Sequence, residues 1–185
     1  AKKDLLKILR DVAVYSQVRG KDSSGVVFRL DHISQFEVLK GPVSIDDLLL
    51  TDNYKLLEAK LNDNNRDGNV FAAIGHARLV TNGSQLKDEN NQPVIKDGIV
   101  GVHNGIIVND NELWNKHTDL NREYEIDTEV IFSLFRKYLK IHNCSIQAIS
   151  ETNKELLGTI STGYFIDNRD EMVMFTNNGS LYYTS

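Results

Sequence analysis

At 185 residues, 41% hydrophobic and 25% charged, the chain suits one well-filled globular domain rather than a disordered tail or a membrane span. A net charge of −5, with lysines and arginines scattered, leaves no basic footprint for nucleic acid, and the apolar runs are too short to cross a bilayer. The single Cys144 can form neither an internal disulfide nor a cysteine zinc site, so a cytoplasmic protein is expected, as one domain over 1–185 with no metal.

The chain opens on a helix over Lys3 to Val18, where Leu5, Ile8, Leu9, Val12 and Tyr15 follow the spacing of one buried face. "RGKDSSG" (Arg19 to Gly25) reads as a turn that includes Ser23 and Ser24. "GVVFRL" and "SQFEVLKG" then read as two strands joined at Asp31-His32. "SIDDLLL", capped by Ser44, and "NYKLLEAKLN" predict short helices, and "VFAAIGHARLV" predicts a long strand followed by a breaker-rich loop from Thr81 to Pro93.

"PVIK" and "IVGVHNG" read as strands, the second broken at Asn104-Gly105 before Ile106 resumes it. Helices follow at "NDNELWNK", at "DTEVIFSLFRKYLK" with Asp127 as its N-cap, and at "SIQAISETNKELL". The longer one buries Val130, Ile131, Leu134, Phe135 and Tyr138 on one side. "TGYFID", "MVMFT" and "SLYYTS" close the chain as antiparallel strands with turns at Asp167-Asn168 and Asn177-Asn178-Gly179. Helices in pairs between hairpin-linked strands describe an α+β architecture.

Four polar positions interrupt these apolar elements: Arg78, Thr81, Asn104-Gly105 and Asp127. Each has an ordinary reading, as a solvated strand end, a turn or a helix cap. Together they offer more. A guanidinium pairs bidentately with a carboxylate and an aspartate receives an ammonium, so Arg78 and Asp127 would hold the two charged ends of a free amino acid. Asn104 and the Gly105 N–H would donate to an oxygen that turns negative during attack on an acyl group. His76 and His103 lie on apolar strands, where core histidines are common, and Cys144 has no activating base in its sequence neighbourhood.

The order of the motifs decides between these readings. "RG-x-DS-x-G", "GHAR-x-x-T-x-G", "N-x-QP", "VHNGII-x-N-x-x-x-L" and "DTEVI" together resemble the class II glutamine amidotransferases, and most of all the glutaminase half of glutamine–fructose-6-phosphate aminotransferase. The resemblance runs from Leu5 to about Phe175. It implies the four-layer αββα sandwich of antiparallel sheets of the N-terminal nucleophile hydrolases. It also implies L-glutamine as ligand, no cofactor, and a synthase or transferase domain that consumes the ammonia; a homo-oligomer is compatible with it. Carried over by position, Asn104 and the Gly105 N–H correspond to the oxyanion hole, Arg78 to the α-carboxylate clamp, Asp127 to the α-amino acceptor and Thr81 to a further substrate contact. Arg19 corresponds to the arginine that orders the surroundings of the nucleophile.

The chain departs from the family at its start. The family nucleophile is a cysteine at the mature N-terminus, whose own α-amine serves as base, whereas Ala1 has neither thiol nor hydroxyl and Cys144 is internal. A polypeptide beginning at Ala1 is therefore expected not to hydrolyse glutamine, with loss of an upstream strand favoured over a natural relic of the fold. Leu79, Asn82, Gln92 and Val94 replace aromatic or histidine positions of the aminotransferase pattern, which bears on the acceptor and not on glutamine. Two other readings stay open: a non-catalytic amino-acid-binding or regulatory module of this fold, and another N-terminal nucleophile amidohydrolase.

Overall fold

A computed structural model describes residues 2–30, 35–62, 70–79, 84, 86–179 and 181–182. The chain divides into two compact units, residues 1–93 with 167–170 and residues 94–166 with 171–185, each built around one antiparallel sheet.

In the first unit the sheet order is β2-β1-β3, from β1 (Ser23–Leu30), β2 (Phe36–Gly41) and β3 (Val70–Arg78). Every residue of the central β1 is buried, which is why its sequence lacks the alternation of a half-exposed strand. Helices α1 (Lys2–Ser16), α2 (Ile45–Leu50) and α3 (Asp52–Asn62) share a core with it, including Leu9, Phe28, Ile45 and Tyr54. Each such side chain withdrawn from water contributes about 1.5–3 kcal/mol before entropy is counted. Ser44 caps α2 as expected, its Oγ accepting the Asp47 N–H at 3.2 Å.

Two expectations fail in this unit. The buried face of α1 is Leu6, Leu9 and Ala13, while Ile8, Val12 and Tyr15 are 58%, 59% and 80% exposed. Apolar residues cover more than one face of this helix, and the small Ala13, which carries no weight in a hydrophobic pattern, takes the inward position. Ser23 and Ser24 are not turn residues either; they open β1 and are buried, with Ser24 Oγ donating to the Val43 carbonyl at 2.8 Å.

In the second unit the order is β4-β5-β6-β7, from β4 (Val94–Lys96), β5 (Ile99–Ile107), β6 (Gly158–Ile166) and β7 (Met172–Thr176). The α4 (Asp110–Lys116), α5 (Thr128–His142) and α6 (Ser145–Glu155) helices complete it. Val130, Ile131, Leu134 and Phe135 of α5 are fully buried as predicted, and Tyr164 of β6 stands edge-on to Phe132 and Phe135 at centroid distances of 5.3 and 5.0 Å. The expected last strand, "SLYYTS", lies mostly outside the described residues and is not seen as a strand in those that are described.

The strand break expected at Asn104-Gly105 does not occur. β5 runs unbroken from Ile99 to Ile107, and β6 pairs with it at every position, Asn104 opposite Ser161 and Gly105 opposite Ile160. The turn of this region is Asp97-Gly98, where φ values of 51° and 73° meet the demand of a tight two-residue hairpin. Ser133 and Arg136 of α5 donate to the Asp97 carboxylate and carbonyl at 2.7 and 2.6 Å and hold that turn in place. Among the described residues no helix is long and apolar enough to cross a membrane.

Candidate functional site

In the first unit, the motif residues converge on the end of β3. Arg78 is buried, 8% exposed, and its guanidinium donates to the Asn90 carbonyl at 2.8 Å, while its own carbonyl accepts the Asp22 N–H at 3.1 Å. Gly20 explains the glycine of "RG-x-DS-x-G": a Cβ there would stand 2.1 Å from the Leu79 nitrogen and 2.2 Å from the Arg78 carbonyl carbon. Gly25 performs the same service for the next segment, since a Cβ would meet the Gln92 carbonyl oxygen at 2.3 Å and the Pro93 ring at 2.7 Å. Lys40 donates to the Asn91 carbonyl at 3.0 Å, and burial lowers its ammonium pKa despite the opposing pull of Asp88 and Glu89. The "RG-x-DS-x-G" and "N-x-QP" motifs are thus surfaces fitted to each other around Arg78.

Arg19 stands on a short 3-10 turn with its side chain exposed, and no hydrogen bond or ion pair of it is seen among the described residues. Thr81 lies outside the described residues.

In the second unit, the site candidates gather at the far end of β5. Asn104 is exposed. Gly105 has φ at +150°, a conformation that L side chains rarely adopt, and a Cβ there would lie 1.8 Å from the Thr159 carbonyl oxygen and 2.8 Å from His103 Nε2. Only glycine fits. His103 is buried on the α5 side of the strand, with Nε2 donating to the Thr159 carbonyl at 3.2 Å and Nδ1 3.3 Å from the Thr128 hydroxyl. A carbonyl can only accept, so Nε2 carries a proton. Burial lowers the His103 pKa, opposed by the nearby Asp127 charge.

Asp127 occupies the residue before α5 but does not cap it: its backbone is already helical at φ −68°, ψ −25°, with no side-chain capping bond. This corrects the expected N-cap role. The carboxylate instead turns to β5, where Oδ2 accepts the Ile107 N–H at 2.7 Å. Asp127 is 9% exposed, and Oδ1 has no hydrogen-bond partner among the described residues.

The sequence profile described as "Glutamine amidotransferase domain" matches residues 76–185, which include Arg78, Asn104, Gly105 and Asp127. The chain belongs to the glutamine amidotransferase family. Among curated relatives, it is 33% identical to glutamine–fructose-6-phosphate aminotransferase of Clostridium perfringens over 85% of this chain and 24% of that protein. It is 30% identical to amidophosphoribosyltransferase of Archaeoglobus fulgidus over 82% of this chain and 31% of that protein. The chain therefore spans about a quarter to a third of these two relatives. Glutamine phosphoribosylpyrophosphate amidotransferase from B. subtilis shares its fold, with a TM-score of 0.65 over 89% of this chain and 33% of that one at 22% identity. A structure described as the allosteric regulatory enzyme of purine biosynthesis matches at 0.68, with the same coverage and identity. The architecture is thus the α+β fold of the N-terminal nucleophile hydrolases.

Other residues that shape this amidotransferase domain escaped the sequence reading. Asn109, the second asparagine of "VHNGII-x-N", ties the end of β5 to the start of β6: Nδ2 donates to the Glu155 carbonyl and Oδ1 accepts the Leu157 N–H, each at 2.9 Å. Gly158, with φ at +132°, leaves no room for a Cβ, which would lie 1.9 Å from the Ile106 carbonyl oxygen. Lys96 and Glu129 form a buried pair at the start of α5, next to Asp127 in sequence. Asn109 falls within a quoted motif, but its role went unread because its bonding partners lie more than 40 residues away and leave no local pattern.

Proposed function

We propose that residues 1–185 form a glutaminase domain of a cytoplasmic amidotransferase, releasing ammonia from L-glutamine for a transferase or synthase domain. Arg78 takes the α-carboxylate of glutamine, Asp127 the α-ammonium, and Thr81 a further contact. Asn104 and the Gly105 N–H receive the oxyanion formed at the side-chain amide, at roughly 3 kcal/mol per donor. The observation that carries the reading is the Asp127 carboxylate, which is largely buried, is not spent on its helix, and is fixed by Ile107 through Oδ2, with Oδ1 unbonded among the described residues.

Strand geometry supports the Gly105 role. Successive N–H groups of a strand face opposite edges. The Val108 N–H donates to Leu157 on the β6 side and the Ile107 N–H goes the other way to Asp127, so alternation favours the Gly105 N–H on the edge that Asp127 occupies.

The chemistry requires a thiolate that attacks the amide carbon, an oxyanion that collapses as the protonated nitrogen leaves as ammonia, and a water that cleaves the thioester to glutamate. No metal or organic cofactor enters these steps. By family analogy the thiol belongs to an N-terminal cysteine whose α-amine takes the proton, and Arg19 orders its surroundings. A polypeptide whose first residue is Ala1 is expected to bind glutamine without turnover. Relatives named as an aminotransferase and a phosphoribosyltransferase support a transferase as the ammonia consumer.

Calorimetric titration with L-glutamine, D-glutamine, L-asparagine and glutaramate, which lacks the α-amine, tests the reading. L-Glutamine should bind saturably and glutaramate at least about tenfold more weakly, the worth of one charge-assisted hydrogen bond. Absence of L-glutamine binding, or equal affinity for glutaramate, overturns it.

A further inference from the structure

We infer that the buried Lys96–Glu129 pair is a positioning device for Asp127, setting the path of the chain that delivers its carboxylate to β5. The inference rests on the α-ammonium role proposed for Asp127.

Lys96, on β4, is 3% exposed, and Glu129, in the first turn of α5, is fully buried. The ammonium spends its three N–H groups on Glu129 Oε1 at 2.9 Å, the Asn121 carbonyl at 2.8 Å and Glu123 Oε1 at 3.1 Å. The Glu129 carboxylate in turn accepts two backbone N–H groups, Glu123 on Oε1 and Tyr124 on Oε2, each at 2.8 Å. Tyr124 closes the loop by donating its hydroxyl to the Ile95 carbonyl at 2.8 Å, and Lys96 lies 5.7 Å from the centre of its ring. Segment 121–124 is thereby bonded to β4 and α5 three residues ahead of Asp127.

A buried ion pair is a poor stabiliser in itself, since an apolar filling of the same shape is often as good. What an apolar filling could not do is grip the backbone of a loop that has no regular structure of its own. Asp127 makes no capping bond that would fix its side chain from the helix side. Its direction toward Ile107 then depends on how the chain enters α5, and that entry is what the pair controls.

The test compares the wild-type chain with the neutral variant Lys96→Met/Glu129→Gln and the milder Glu129→Gln, reading affinity for L-glutamine and for glutaramate by calorimetry. Both variants should lose at least about fivefold in glutamine affinity with glutaramate unchanged within about twofold, and neither substitution should weaken glutamine further in an Asp127→Asn background. Residue-resolved amide exchange gives an independent reading, in which the Ile107 N–H should exchange at least about tenfold faster while core amides of β6 hold. Equal loss for both ligands, or unchanged Ile107 exchange in folded variants, overturns the inference. If the wild-type chain fails to bind glutamine, the functional reading falls and the Ile107 exchange still decides the positioning claim.

Discussion

The Asp127 carboxylate accepts the Ile107 N–H at 2.7 Å, which fastens the start of α5 to β5 two residues beyond Gly105. An aspartate ahead of a helix ordinarily turns back on the first turn; this one is directed outward to a strand. That bond separates a structural duty from the proposed binding duty within one side chain. Asp127→Asn keeps an oxygen for the Ile107 N–H and should cost less than about 1 kcal/mol of stability, whereas Asp127→Ala strands that donor and should cost about 1–3 kcal/mol. Urea denaturation of both variants checks the difference.

Gly105 admits no side chain. A Cβ would fall 1.8 Å from the Thr159 carbonyl oxygen on a backbone at φ +150°. Gly105→Ala should therefore destabilise the chain by roughly 2–4 kcal/mol, the sum of strain and overpacking. A loss under about 1 kcal/mol by equilibrium denaturation would mean that the strand follows another path there.

His103 makes stability depend on pH in a defined window. Burial holds its pKa below the ordinary 6.5, so between its folded pKa and 6.5 the unfolded chain binds more protons than the folded one. Its contribution is complete above pH 6.5 and is lost as pH falls through that value, at no more than about 1.4 kcal/mol per pH unit. His103→Gln should flatten the fall between pH 7.5 and 5.5 in paired denaturation curves.

Glu155 acts in a more acid window. Burial alone would raise its carboxyl, but hydrogen bonds from Lys116, Tyr138 and His117 outweigh this and hold it at about 2 against an ordinary 4.5. Its contribution is present above pH 4.5 and lost as pH falls toward about 2. Glu155→Gln should remove part of the acid unfolding in that range and leave the His103 window untouched, as followed by circular dichroism. Tyr138, raised to about 12 by burial and then by Glu155, should in that variant ionise at lower pH in an ultraviolet titration.

Local signals carried much of this fold. The stripe Val130, Ile131, Leu134, Phe135 named the buried face of α5 because those residues repeat at helical spacing and the opposite face is basic or polar. The stripe Ile8, Val12, Tyr15 misled on α1, since more than one face of that helix is apolar and the choice was made by partners on β1, β3 and α2. Asn104-Gly105 and Asp97-Gly98 are both turn dipeptides; only the presence of β6 as an unbroken partner turned the first into strand and left the second as the hairpin. Of the candidate site, residue types and motif order were legible. The direction of the Asp127 side chain and the glycines fitted against backbone at Gly20 and Gly25 were not, because each depends on a segment distant in sequence.

In the proposed site, Arg78 and Asp127 hold the two charged ends of L-glutamine. Titration of L-glutamine into the wild-type chain, Arg78→Ala and Asp127→Asn, with folding of each confirmed by denaturation, tests it most directly. Saturable binding to wild type and at least about tenfold weaker binding to each folded variant are expected. Glutamine binding of wild-type strength in either folded variant would contradict it.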